Sequence, residues 1–188
     1  MKPTRILCGC LLTFLTLVHI MGAQINATSK SQTAEHGGKI ESKYDGFSHE
    51  TIVTLNKMRI TCGNVNFKDA CVSFSTALHC PGIQLDHVRY ARLQLIFQTK
   101  DWDQRHPLNQ RQLSVVADGE TLRLGQMKLV EQSVDTLMTE VLEVQVPYNV
   151  FKRVALAESV QMKVGNSEFE LQEKNLAALR DLNNRVKF

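Results

Sequence analysis

The sequence predicts a mainly β protein, an antiparallel β-sandwich-like domain with a short connecting helix and a C-terminal helix. Three observations carry that expectation. From Tyr44 onward, short runs of Val, Ile, Leu, Phe and Thr are punctuated by Gly, Asn, Asp and Pro, the pattern of strands and turns. Two dipeptides, Asp118-Gly119 and Gly165-Asn166, sit between arms that alternate apolar and polar residues, as tight hairpin turns require. The last fifteen residues repeat leucine at helical spacing.

The leading residues read differently. Lys2 and Arg5 precede an apolar run from Ile6 to Met21, closed by Gly22-Ala23, the order of a secretory signal peptide over 1–23. An uncleaved anchor is the alternative, although a spanning helix needs about 20 apolar residues and His19 shortens this run. Cys8 and Cys10 lie before most of that run, where a lipid-modified cysteine is not expected. Residues 24–43 are rich in Ser, Thr, Gln, Gly, Lys and Glu and contain too little apolar area to offset ordering, so a flexible tether is expected there. The folded domain is expected over 44–188.

Within that domain, strands are expected near 50–61, 70–79, 88–98, 112–117, 120–125, 137–146, 160–164 and 167–171. A two-residue turn at Asp118-Gly119 sets Val115 opposite Leu122 and Leu113 opposite Leu124 on one face, with Ser114 and Arg123 on the other. The same logic at Gly165-Asn166 pairs Val160 with Leu171, Met162 with Phe169 and Lys163 with Glu168. A slip by one residue would bury Lys163. In "PYNVFKRVALAES" the placement of Val150, Phe151, Val154 and Ala155, after Pro147, predicts a short connecting helix. Leu176, Leu179, Leu182 and Val186 line one side of a terminal helix, for which Gln172 is a poor N-cap. A helix of about 14 residues is marginal alone in water and must dock on the sheet to persist. A single open sheet carrying both helices on one face is the alternative architecture.

In order, "YDGFSHETIVTLNKMRI", "TKDWDQRHP", "LSVVADGETLRLG" and "VGNSEFELQEKNLAALRDLNNRV" resemble a group of exported bacterial β-rich proteins with no assigned activity. The resemblance covers roughly residues 44 to 186. It implies a compact β-rich fold in a periplasmic or cell-surface setting, and it brings no activity, cofactor or catalytic residue that could be placed on these positions.

Composition excludes one partner class. Removal of 1–23 takes away two basic residues, so the formal charge falls from +3 to +1, and no Lys/Arg run with interleaved aromatics remains to hold nucleic acid. Three cysteines stay in the mature chain. If 71–79 is a strand at about 3.3 Å per residue, Cys71 and Cys80 stand about 30 Å apart, beyond the reach of a disulfide. Cys62 and Cys71 flank one loop between two antiparallel strands, and they are the expected disulfide pair.

Other chemistry is weaker. Cys71, His79, Cys80 and His87 are zinc-competent ligand types, but adjacent residues of a strand point to opposite faces, and the spacing of zinc knuckles is missing. Asp101, Asp103 and His106 could meet as acid and base, yet they crowd into one polar loop. Nucleophile-elbow, zinc-protease and phosphate-loop motifs are not found in the chain. Trp102, the only indole, lies in that loop and is either a core cap or a binding anchor.

These readings converge on an exported (periplasmic, cell-surface or secreted) non-enzymatic binding or structural module with no metal and no cofactor. Its partner is an unidentified protein or envelope component, reached through a strand edge, the Trp102 loop or the helix surface. Membrane contact is expected only if the leader is retained. The alternative is an exported metal-dependent protein or enzyme using the Cys and His groups between residues 62 and 106.

Overall fold

The computed structural model describes residues 36–62, 71–100 and 106–186. Trp102, Asp101 and Asp103, the leader, and residues 24–35 of the expected tether lie outside them. Ten strands and two helices follow in the order β1 (Ile40–Asp45), β2 (Glu50–Cys62), β3 (Cys71–Pro81), β4 (Tyr90–Thr99), β5 (Gln112–Ala117), β6 (Glu120–Gln126), β7 (Lys128–Val134), β8 (Met138–Pro147), α1 (Tyr148–Leu156), β9 (Val160–Val164), β10 (Ser167–Glu170) and α2 (Glu173–Asn184). They form two antiparallel sheets, β1-β2-β3-β4-β8-β7 and β10-β9-β5-β6. The architecture is therefore sandwich-like and mainly β, not a single open sheet.

Period-two alternation explains which sheet faces are inside. In β4, Ala91, Leu93, Leu95, Phe97 and Thr99 are buried, and the residues between them are half-buried. β9 repeats the pattern with Val160, Met162 and Val164 inside. α1 touches β4, β5 and β8, so it contacts both layers, and α2 packs on α1 and β2. Phe151 of α1 and Leu176, Leu179 and Leu182 of α2 are buried among these elements.

Both hairpin turns form. Asp118 and Gly119 have φ of 50° and 82°, the left-handed pair that a two-residue turn of this hand needs. Asp118 Oδ1 also accepts the backbone N–H groups of Glu158 and Ser159, each at 2.9 Å, which ties the turn to the start of β9. At the second turn, Lys163 faces Glu168 and Met162 faces Phe169 as expected.

The first hairpin departs from expectation in one pair. Val115 faces Leu122, but Leu113 faces Gly125 because a bulge intervenes, and Gly125 takes φ of 104° there. The bulge still leaves Leu113 and Leu124 in the core. Two residues after Gly125 the chain changes sheets. Met127, buried, is the single residue between β6 and β7, and its N–H donates to Arg111 O at 2.8 Å.

Two strands were not expected. β7 is exposed along nearly its whole length, so it carries no alternation to read. β1 buries only Ile40, and its polar composition placed residues 40–43 in the tether. Residues ahead of 44 pack against the rest of the chain: His36 Nε2 lies 3.2 Å from Asp181 Oδ2, and Gly38 is packed where a Cβ would lie within 3 Å of Met58 and Leu55. Burial pushes the Asp181 carboxyl up, but hydrogen bonds from Arg185 and His36 outweigh it and hold it below the ordinary carboxylate range.

Between the sheets and helices lies a void of about 10 Å³ lined by Phe74, Thr76, Leu93, Leu113, Phe151 and Met162 among others. That is at the lower limit for one water. Thr76 is buried with its Oγ1 unpartnered. A buried hydroxyl without a partner costs about 1–3 kcal/mol, and valine has nearly the same shape. Thr76→Val is expected to raise stability by about 1 kcal/mol in urea denaturation. A loss of stability would show that the hydroxyl has a partner.

Candidate functional site

Three groups from separate elements meet at the rim between the sheets. Glu140 is on the inner face of β8, Ser167 opens β10, and His106 lies in the connection from β4 to β5. His106 Nδ1 is 2.7 Å from Glu140 Oε2, and His106 Nε2 is 2.9 Å from Ser167 Oγ. A carboxylate only accepts, so Nδ1–H donates to Glu140, and Nε2 shares a hydrogen bond with the serine hydroxyl. The His106 backbone N–H also reaches Glu140 Oε2, at 3.3 Å. Arg111 Nε donates to His106 O at 2.7 Å, and its Nη2 lies 3.9 Å from Glu140 Oε1.

This order of serine, imidazole and carboxylate is the one used to activate a hydroxyl nucleophile. Access decides against that use. His106 and Glu140 are 3 % exposed and Ser167 is 9 % exposed. Ser167 is paired with Val164 in the β9–β10 ladder, and Gln110 O sits 2.8 Å from where a Gly165 Cβ would be. The segment carrying His106 therefore lies against the hairpin turn. Phe97 covers the imidazole with ring centroids 4.3 Å apart. The set is a polar clasp joining both sheets and their connection.

A second buried histidine lies on the outer face of the six-stranded sheet. His79 Nδ1 is 3.1 Å from Glu50 Oε2 and 3.1 Å from the Tyr90 hydroxyl, and its ring stacks on Tyr90. Arg89 donates to Glu50 Oε1 at 2.7 Å. His79 Nε2 is buried without a partner.

The sequence-derived ligand set is not assembled. Cys62 and Cys71 are joined as a disulfide across directly paired positions of β2 and β3, with Cα atoms 4.1 Å apart, so Cys71 has no thiolate to offer a metal. Cys80 and His79 point to opposite faces of β3, and His87 is exposed in the β3–β4 loop. Cys80 is fully buried, and desolvation, reinforced by the charges of Asp86 and Glu50, pushes its thiol up to about 11. A thiol of that kind is inert at neutral pH. Titration of native protein with a thiol-reactive disulfide is expected to find Cys80 silent until the chain unfolds. Rapid native labelling would contradict the burial.

Strand edges are poor docking sites here. β7 carries a bulge between Leu129 and Glu131 and the charges Lys128 and Glu131, and β10 is four residues long with Glu168 and Glu170 outward. β6 is broken by the Gly125 bulge, and β1 presents Glu41 and Lys43. Bulges, charge and short length are the usual devices that prevent edge pairing.

One end of the six-stranded sheet is different. Phe47, at the tip of the β1–β2 turn, is 100 % exposed, and Ile83, in the adjoining β3–β4 loop, is 76 % exposed. The two loops are joined, because Gly82 N–H donates to His49 O at 2.8 Å and the Thr51 hydroxyl donates to Gly82 O at 2.7 Å. Asp45 accepts the Phe47 N–H at 3.0 Å and the Ser48 hydroxyl at 2.9 Å, and those bonds hold its carboxyl below the usual range. Phe47 is thus presented on a turn with its own internal lock. Nothing in the hydrophobic pattern marked it, since "YDGFSHE" reads only as a polar turn; the Asp45-to-Phe47 spacing of an Asx turn was the available signal. No family model, curated protein or solved structure matches the chain.

Proposed function

We propose that this chain is an exported binding module of the cell envelope or exterior, and that it engages its partner through the Phe47–Ile83 tip. The observation that carries the proposal is the complete exposure of Phe47 on an internally bonded turn. Aromatic anchors held rigidly lose little conformational freedom on binding, which is where their affinity comes from. Export is supported by the basic, apolar and small-residue order of 1–23 and by the resemblance to exported β-rich proteins. The Cys62–Cys71 disulfide is compatible with an oxidising compartment. Among the described residues, no helix is long and apolar enough to cross a membrane.

The test is a photo-crosslinking side chain at position 47, compared with one at Leu156, which is also exposed but lies on α1. Irradiation in the native host is expected to give adducts from position 47 and none from position 156. Equal or absent adducts at the two positions remove the tip from consideration.

The enzyme alternative retains one favourable observation, the relay from Ser167 through His106 to Glu140. Labelling of Ser167 in the native protein by a serine-directed phosphonate would carry it over the binding reading. The metal-dependent alternative has its ligand candidates dispersed, as described above.

A further inference from the structure

Taking the tip as the contact surface, we infer that its partner is the interfacial zone of a zwitterionic phospholipid bilayer, entered by Phe47 and Ile83. Shape is the first argument. A stable protein–protein contact uses about 800 Å² on each side. The tip offers two exposed apolar side chains on two joined loops, too few for such a contact and enough to enter a fluid surface.

Backbone satisfaction is the second. A segment that enters the acyl boundary must not carry unpaired polar groups. Three backbone groups of the tip are already paired: the Phe47 N–H with Asp45, the Gly82 N–H with His49 O, and the Gly82 carbonyl with the Thr51 hydroxyl.

The collar behind the tip is the third. Tyr44 is 41 % exposed with its hydroxyl 3.2 Å from His49 Nδ1, an aromatic with a polar end at headgroup depth. Charges there nearly balance, with Lys43 and Arg89 set against Asp45, Asp86 and the Arg89-bonded Glu50. Binding therefore needs no anionic lipid.

The experiment uses the full chain as processed by its host, with Trp102→Phe and Phe47→Trp, so that the only indole reports on the tip. With phosphatidylcholine vesicles, its emission is expected to move to the blue and to be quenched by brominated acyl chains, with little change when phosphatidylglycerol is added. A Leu156→Trp, Trp102→Phe chain is expected to keep water-like emission. In the otherwise native chain, Phe47→Ala with Ile83→Ala is expected to weaken vesicle partitioning about tenfold or more while the melting temperature holds.

Water-like emission from Trp at position 47 overturns the bilayer assignment, and so does a shift that needs phosphatidylglycerol. If that happens while position 47 still crosslinks to one discrete protein, the tip remains the docking surface and only its occupant was wrong. If crosslinking fails as well, both readings fall.

Discussion

Glu140→Ala is expected to lower the unfolding free energy by about 3–5 kcal/mol, the range for removing one member of a buried pair. The loss comes from what stays behind. Without the carboxylate, His106 Nδ1–H and the His106 backbone N–H lose their acceptor in a space that excludes water, and the nearby Arg111 guanidinium loses its counter-charge. Ser167→Ala leaves only Nε2 without a partner and is expected to cost less, about 1–2 kcal/mol. Equilibrium urea denaturation of the three proteins orders them as wild type, Ser167→Ala, Glu140→Ala. A change below about 1 kcal/mol for Glu140→Ala would mean that the clasp is open to water in solution.

Deleting residues 174–188 is expected to leave the chain unable to fold. The segment buries the side chains of Leu176, Leu179, Leu182 and Val186. At about 1.5–3 kcal/mol each, their loss is comparable to the whole stability of a domain, about 5–15 kcal/mol. Asn175 goes too, and with it the bond from its Nδ2 to Arg59 O at 3.1 Å. α1 would then lose the helix packed on it, while Phe151 lost part of its cover. Circular dichroism melting is the measurement, and an unchanged cooperative melt would show that α2 is an ornament on a self-sufficient sandwich.

Local chemistry explains which parts of this architecture could be read beforehand. The β5–β6 and β9–β10 hairpins were legible because turn residues and alternation agree within a dozen positions. α2 was legible from its leucines and starts after Gln172 as expected; that residue is a weak cap by type, and the Asn175 side chain supports it by accepting the Gln172 N–H at 3.0 Å. β1 and β7 escaped because edge strands with few buried residues have no face to alternate. The expected Leu113–Leu124 pair failed at a bulge, which shifts register without altering composition.

The clasp lay beyond local patterns, since Glu140 is 34 residues and Ser167 is 61 residues from His106. A clue did exist in β8. In "MTEVLEVQV", Glu140 falls in step with Met138, Leu142, Val144 and Val146, and a carboxylate in the apolar phase of a strand demands a distant partner. The tip depended on the opposite kind of signal, an apolar residue where none is needed for packing.

The passage of the chain through Met127 has a mechanical consequence. Because β6 runs into β7 across one buried residue, whose N–H extends the β5–β6 ladder to the Arg111 carbonyl, the two layers are coupled through the backbone at this point. Peeling β7 from β8 drags on the opposite layer, and loosening β6 unseats the rim of the larger one. The layers are therefore bound to yield together, as a single transition and not as a sequence of leaves coming away.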